Sequence, residues 1–191
     1  MSNHVQPLQG NESFTGQDFG VLDFWRWAYS DLLSNTLRGI LAEFLVAKAV
    51  GATKSARREW DAFDVTTPSG VRIEVKSAAY VQSWHQDKPS NISFDIAPKK
   101  SWDAETNTTD VEPSRSADIY VFALLHEQNR DTVNPLDLNQ WTFFVLPTAT
   151  LNTLGNQKRL SLGPLRKLNP AETTFDGLAE AIHNKFSKNK K

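Results

Sequence analysis

One stretch of the sequence alternates between apolar and charged side chains: Val71-Arg72-Ile73-Glu74-Val75-Lys76-Ser77. Successive side chains of a strand point to opposite faces, so this stretch predicts a strand with Glu74 and Lys76 on one face. Those two residues would lie about 6.5 Å apart along the strand. The apolar residues on the other face indicate that the strand covers a hydrophobic core.

The residues before this strand predict the other arm of a β-hairpin. A turn and an acidic arm precede it, Pro68-Ser69-Gly70 and Asp61-Ala62-Phe63-Asp64-Val65-Thr66. We expect Phe63 and Val65 to face the core, which by alternation turns Asp64 to the face that carries Glu74. Asp64 is therefore our choice for a site residue on this arm, and Asp61 is the alternative.

Two helices are predicted upstream of the hairpin. Residues 18–34 are rich in aromatic side chains, and we expect a helix whose rings pack on the core. Asn35 can cap a second helix and Gly51 can end it. Its apolar residues recur with helical spacing at Leu37, Ile40, Leu41, Phe44 and Leu45. Glu43 lies at the edge of this stripe, where its carboxylate could reach the end of a neighbouring strand.

Apolar runs further along the chain predict more strands and a final helix. We expect strands around residues 92–96, 117–125 and 141–146, and a helix after residue 174. Together with the hairpin they predict an α/β fold in which helices flank a central mixed β-sheet of about five strands. We expect a flexible arm over residues 1–17 and one domain over residues 18–191.

The composition excludes several classes of protein. The chain has 191 residues, a formal net charge of −1 and no cysteine, which leaves no disulfide and no cysteine-ligated zinc site. No apolar run approaches the roughly 18 residues of a membrane span, so we expect no membrane partner. A chain without cysteine suits the cytoplasm.

The predicted acids and lysine suit a divalent cation beside a phosphate. Mg²⁺ binds one or two carboxylates together with other oxygen atoms, and Asp64, Glu74 and the Val75 carbonyl could supply them. Glu43 would assist directly or through a water. Lys76 could orient or deprotonate an attacking water, or neutralise charge in the transition state. Burial would lower the pKa of Lys76, whereas the two carboxylates would raise it.

The order of these elements resembles the PD-(D/E)XK, or restriction-endonuclease-like, nuclease superfamily over about residues 35–125. The resemblance implies a restriction-endonuclease-like fold and hydrolysis of DNA with Mg²⁺ or Mn²⁺, in restriction, repair or defence. It makes Asp64 and Glu74 the metal ligands. Lys76 becomes the catalytic lysine and Glu43 the acidic residue on the helix.

Residues beyond the hairpin could complete the site or contact nucleic acid. Some members of the superfamily carry a functional glutamine after the lysine, and Gln82 is the catalytic candidate here. Tyr80 could contact DNA, while Lys99 and Lys100 could bind its phosphates. The alternative is that Tyr80 packs on the core and both lysines are solvated.

Three functions are open at this point. The first is a Mg²⁺-dependent endonuclease acting on DNA, with RNA not excluded and a homodimer as one way to cut both strands. The second is a nucleic-acid-binding module without catalysis, which gains nothing from carboxylates clustered near phosphate. The third is an interaction protein in which Glu74 and Lys76 are only a surface ion pair. We predict the endonuclease.

Overall fold

This computed structural model of the protein describes residues 6–54, 56–57, 62–100, 102–103, 108–109 and 111–189. The helices are α1 (Val21–Tyr29), α2 (Asn35–Ala49), α3 (Thr148–Asn152), α4 (Leu162–Lys167) and α5 (Leu178–Asn189). The strands are β1 (Val65–Thr66), β2 (Arg72–Ala79), β3 (Ser93–Asp95), β4 (Trp102–Asp103), β5 (Thr108–Thr109), β6 (Ile119–Leu125), β7 (Trp141–Pro147), β8 (Arg159–Ser161) and β9 (Ala171–Thr173). A short 3-10 helix, Leu138–Gln140, precedes β7.

Five of these strands form one mixed sheet in the order β1-β2-β6-β7-β9. Strands β2 and β6 run parallel, whereas the other neighbours in the sheet are antiparallel. Every residue of β6 is buried, as expected for a central strand that is covered on both faces. The arrangement confirms the predicted α/β fold with a central mixed sheet and flanking helices.

Two hydrophobic clusters cover the two faces of this sheet. The helix-face cluster joins α2 and α5 to the sheet and consists of Ala42, Leu45, Val46, Val65, Val71, Ile73, Val75, Ala79, Ile119, Val121, Ala123, Leu125, Trp141, Phe143, Val145, Leu178 and Ile182. The opposite-face cluster joins β3, β8, α3 and α4 to the sheet and consists of Ala78, Ile92, Phe94, Ile96, Ala117, Tyr120, Phe122, Leu124, Phe144, Leu146, Leu151, Leu160 and Leu165. Alternate residues of β2 and β6 belong to different clusters, as the period of a strand requires.

Helix α2 is capped by a different residue from the one predicted. The Ser34 hydroxyl accepts a hydrogen bond from the Leu37 N–H (3.4 Å) at the start of the helix. Asn35 is the first helical residue, and its side chain accepts a hydrogen bond from Arg38 (2.6 Å). The prediction of Asn35 as the cap is therefore wrong. Gly51 follows the helix with a φ of +70°, as its predicted terminal position requires.

The aromatic segment before α2 does not pack on the core, so that prediction is also wrong. Helix α1, all of which the structure describes, contains no buried residue, and its Trp27 is 86% exposed. Trp25 and Tyr29 instead border an open apolar groove. The other side of this groove is formed by Leu32 and by α2 residues Leu37, Ile40, Leu41 and Phe44. Most of the apolar stripe seen in the sequence of α2 thus faces α1, while a neighbouring stripe packs on the sheet.

The described part of the N-terminal segment lies against the start of α1. Ser13 forms an antiparallel bridge with Gly20, and the Glu12 carboxylate accepts hydrogen bonds from two backbone N–H groups just before it. The division into a flexible arm and one domain stays a prediction. No helix in the described part of the chain combines the length and the apolar character that a membrane span requires.

Candidate active site

A β-bulge sets the direction of the Asp64 side chain. The Asp64 N–H donates to the Ile73 carbonyl (3.0 Å), and Val65 is also the register partner of Ile73. Two consecutive residues therefore oppose one residue of β2, which is the pattern of a bulge. The Asp64 carboxylate accepts a hydrogen bond from the Val75 N–H (2.7 Å) and so lies at the edge of β2, within the electrostatic reach of Glu74.

This bulge breaks the strict alternation of side chains that the sequence predicts for this arm of the hairpin. Val65 belongs to the helix-face cluster, whereas Phe63 packs against the opposite-face cluster, so the prediction that they share a face is wrong. Strict alternation fails because the bulge adds a residue to the arm. Asp64 reaches the site through its contact with Val75 instead. The competing Asp61 lies outside the described residues, so the choice between the two aspartates stays a prediction.

Glu74 lies between two lysines. Its Oε1 is 2.5 Å from Lys76 Nζ and 3.9 Å from Lys99 Nζ. The side chains of Glu74 and Lys76 are 11% and 16% exposed, whereas that of Lys99 is 61% exposed. Burial works against charge on Lys76, but Glu74 and then Asp64 outweigh it and raise the pKa of Lys76. Lys76 is therefore an ammonium at neutral pH.

The surroundings of Asp64 disfavour the charged form of its side chain. Burial, followed by the charge of Glu74, raises the pKa of Asp64 to about 6, although the hydrogen bond from Val75 favours the charged form. The charge of Glu43 on α2 acts in the same direction as that of Glu74. Carboxylates this close repel one another, and a bound cation would relieve the repulsion.

Glu43 stands at the edge of this group with a partner of its own. Its two carboxylate oxygens contact the Arg57 guanidinium, and the Oε1–Nη2 distance is 3.1 Å. The side chain is 15% exposed. Of the predicted catalytic residues, the structure thus brings Glu43, Asp64, Glu74 and Lys76 into one group of interacting charges.

Tyr120 borders the same group and was not singled out by the sequence. It lies on β6 directly opposite Glu74 in the parallel register and is 4% exposed. Burial and then the charge of Glu74 raise the pKa of Tyr120, while Arg115 opposes them. Because Tyr120 sits in a continuously apolar run, only the register between β2 and β6 could have marked it.

Gln82 belongs to a buried network around Arg38. Arg38 donates from Nη1 to Gln82 Oε1 (3.1 Å) and from Nε to Ser77 Oγ (3.3 Å), and Gln82 Nε2 donates to the Ala79 carbonyl (2.8 Å). Burial lowers the pKa of Arg38 to about 10, so its guanidinium keeps its charge at neutral pH. These contacts give Gln82 a structural role. Its catalytic role stays a prediction.

The predicted nucleic-acid contacts lie in two different environments. Lys99 and Lys100 are exposed, and Lys99 reaches the acidic group through Glu74. Tyr80 is half-buried and packs against the opposite-face cluster. The two lysines are therefore accessible to a polyanion, whereas the position of Tyr80 favours a packing role.

The oxygen atoms of this site suit a hard divalent cation. Asp64 and Glu74 bring two carboxylates to neighbouring positions, and Val75 adds a backbone carbonyl on β2. Mg²⁺ commonly binds one or two carboxylates and completes its shell with waters and substrate oxygens. The described residues contain no group of three or more His, Cys, Asp or Glu side chains placed to hold a metal ion. The site therefore fits Mg²⁺ only if the protein supplies these three oxygen ligands and if waters and substrate oxygens supply the rest.

The sequence matches a known protein family over most of its length. A model described as bacteriophage T4 endonuclease IV matches residues 26–162, a span that runs from α1 to the start of α4. The chain belongs to the bacteriophage T4 endonuclease IV family. Membership of this endonuclease family confirms the prediction of a nuclease. No curated protein matches the sequence.

The match to the bacteriophage T4 endonuclease IV family contains the whole candidate site. Glu43, Asp64, Glu74, Lys76 and Tyr120 all lie inside it, as do four of the five strands of the central sheet. Strand β9 and helix α5 lie beyond it. The part of the fold that positions the site is thus the part that the family defines.

Proposed function

We propose that this member of the bacteriophage T4 endonuclease IV family is a Mg²⁺-dependent endonuclease that hydrolyses phosphodiester bonds in DNA. The observation that carries the proposal is the group formed by Asp64, Glu74 and Lys76 on the β1–β2 hairpin. The order of these residues also supports a place in the PD-(D/E)XK superfamily. Restriction, repair or defence in the cytoplasm are the roles that such an activity would serve.

Asp64, Glu74 and the Val75 carbonyl would hold the metal ion, and Mn²⁺ could take the place of Mg²⁺. When bound, the ion supplies an activated water and compensates negative charge on the phosphate. Asp64 must be charged to act as a ligand, and its pKa is raised to about 6 in the metal-free protein. Metal affinity should therefore increase as the pH rises through about 6.

Lys76 acts as a fixed positive charge in this proposal. Because its pKa is raised, the ammonium is a hydrogen-bond donor at neutral pH rather than a base. A donor beside the scissile phosphate orients the attacking water and neutralises charge that develops in the transition state. The 2.5 Å contact with Glu74 holds the ammonium in position for this task. Glu43 would orient a further water at the edge of the site.

Lys99 and Lys100 would bind the DNA backbone. The Lys99 side chain is 61% exposed while its Nζ is 3.9 Å from Glu74, so the ammonium lies on the solvent side of the carboxylate. A strand of DNA entering the site would bring phosphates to this position. Lys100 is also exposed and would extend the same contact.

A non-catalytic nucleic-acid-binding module on the same fold is the alternative. Such a module would bind phosphates through its lysines, and two buried carboxylates beside them would only weaken that binding. Burial and then the charge of Glu74 raise the pKa of Asp64, so both work against two charged carboxylates in the metal-free protein. This arrangement favours a site that takes up a cation.

Cleavage of supercoiled plasmid with Mg²⁺ or Mn²⁺ tests the proposal. We expect wild type to nick or linearise the plasmid, and Glu74→Ala and Lys76→Ala to lose about 100-fold or more in rate. Glu180→Ala and Lys167→Ala make the same changes at exposed positions and should cleave like wild type. DNA binding without cleavage under both ions would support the binding module instead.

A further inference from the structure

Tyr120 extends the row of polar side chains that crosses the sheet. Strand β2 lies between β1 and β6, so Asp64, Glu74 and Tyr120 follow one another across three neighbouring strand positions. Neighbouring strands are about 4.8 Å apart, which brings the phenol on β6 next to the carboxylate on β2. The row ends at Leu146, the apolar partner of Tyr120 on β7.

The ring of Tyr120 is packed in the core, whereas its hydroxyl has no protein partner among the described residues. The ring lies beside that of Phe122, with 6.0 Å between the centroids, and the residue is 4% exposed. Within the described part of the chain, every fully enclosed side-chain nitrogen or oxygen has a hydrogen-bond partner. The unbonded hydroxyl must therefore reach accessible space beside the carboxylates. The residue is buried but its hydroxyl is accessible and has no protein partner, so this hydroxyl is available to a ligand.

We propose that Tyr120 is a further catalytic residue, whose hydroxyl donates a hydrogen bond to a non-bridging oxygen of the scissile phosphate. The inference rests on the proposed function and adds a substrate contact to it. Tyr120 lies on the opposite side of Glu74 from Asp64, so it would approach the phosphate from the β6 side of the site. A neutral O–H group is a suitable donor here because it adds no charge beside the carboxylates.

The contact would act mainly in the transition state. Negative charge on the phosphate oxygens changes as the bond to the leaving group breaks, and a fixed donor costs no reorganisation at that moment. Burial and packing beside Phe122 restrict the ring, and so limit how far the hydroxyl can move before substrate binds. The expected signature is therefore a loss in kcat rather than in DNA affinity.

Tyr120→Phe tests the inference because it removes the hydroxyl and keeps the ring. On a DNA substrate that wild type cleaves, we expect kcat to fall about 10- to 100-fold. KM and the Mg²⁺ concentration for half-maximal rate should change by no more than about twofold. The melting temperature should change by no more than about a few degrees. Tyr29→Phe makes the same change on the partly exposed helix α1 and should leave cleavage unaltered.

The outcomes separate this inference from the proposal on which it rests. Full activity of Tyr120→Phe beside an inactive Glu74→Ala would overturn the role of Tyr120 and leave the endonuclease site in place. A loss of activity that follows a lower melting temperature or weaker Mg²⁺ response would assign the hydroxyl a structural task, and would also overturn it. If wild type cleaved no DNA at all, both the role of Tyr120 and the proposed endonuclease function would be wrong.

Discussion

The Glu74 carboxylate contacts one enclosed and one exposed ammonium group, and these two lysines should have different roles. Lys99 lies on the solvent side at 3.9 Å from Glu74, so Lys99→Ala should weaken DNA binding with little effect on kcat. Loss of one phosphate contact should lower the slope of log affinity against log salt by about one. Fluorescence anisotropy at several salt concentrations measures this slope, with Lys167→Ala as the control. An unchanged slope would show that Lys99 does not contact phosphate.

Asp64 should make the metal-free protein more stable in mild acid. Its pKa rises from 3.8 in a model peptide to about 6 in the folded chain because of burial and Glu74, so the folded state binds this proton more tightly. The extra stability is complete below about pH 4 and is lost as the pH rises through about 6, by up to about 3 kcal/mol. Urea unfolding across this range measures the loss.

Asp64→Asn is the matched control for that experiment. Asparagine keeps an oxygen that can accept the hydrogen bond from the Val75 N–H, but it does not titrate. The free energy of unfolding of the variant should therefore fall less steeply between about pH 4 and pH 7 than that of wild type. Identical slopes for the two proteins would contradict the raised pKa.

Helix α2 is joined to the end of β2 by the buried Arg38 network. Gln82→Ala would leave the Arg38 guanidinium without one of its acceptors and should lower the free energy of unfolding by about 1–3 kcal/mol. Gln128→Ala, at an exposed position, should change it by less than about 0.5 kcal/mol. If the contacts of Gln82 are purely structural, kcat of the folded Gln82→Ala enzyme should stay near wild type. A large loss of kcat at unchanged stability would instead give Gln82 a catalytic role.

Elements with a strong local pattern could be predicted from the sequence. The helical spacing of α2, the apolar run of β6 and the turn between β1 and β2 depend on residues that are close in the chain. The sequence could not predict the bulge at Asp64 or the pairing of β3 with β8, because distant parts of the chain determine them. The position of Tyr120 beside Glu74 likewise depends on which strands become neighbours.

Tertiary packing also explains why the prediction that the aromatic rings of α1 pack on the core is wrong. Aromatic residues are usually buried, so the sequence favours packing on the core. In the structure, α2 and α5 already cover the sheet on the side of the helix-face cluster, and α1 lies against the outer side of α2. The exposure of Trp27 is therefore a consequence of tertiary packing that no local pattern contains.

The exposed and buried tryptophans of the molecule should differ widely in their contribution to stability. Trp141 is 1% exposed in the helix-face cluster, and its indole N–H donates to the Pro135 carbonyl (3.0 Å). Trp141→Ala should lower the free energy of unfolding by about 3–5 kcal/mol. Trp27→Ala, at an 86% exposed position, should lower it by less than about 1 kcal/mol. Chemical denaturation of both variants tests this, and similar losses would contradict the assignment of the core.

The site lies where the opposite-face cluster ends and polar side chains begin. On β2, Ala78 belongs to that cluster, whereas Lys76 and Glu74 on the same face form the ion pair of the site. The neighbouring strand β6 is buried throughout. The proposed catalytic groups are therefore held beside the fully buried central strand, and such support from regular structure favours precise positioning.

The magnesium dependence of plasmid cleavage, measured for wild type and Glu74→Gln together, is the most direct test of a Mg²⁺-dependent endonuclease site built on Glu74. Glutamine preserves the size of the side chain but removes the negative charge that strengthens both Mg²⁺ binding and the contact with Lys76. We predict no cleavage by wild type with a chelator present, full cleavage once Mg²⁺ is added, and none by Glu74→Gln at any Mg²⁺ concentration. Cleavage by wild type in the chelator would rule out the Mg²⁺ dependence, and cleavage by Glu74→Gln at the wild-type rate would rule out Glu74 as part of the site.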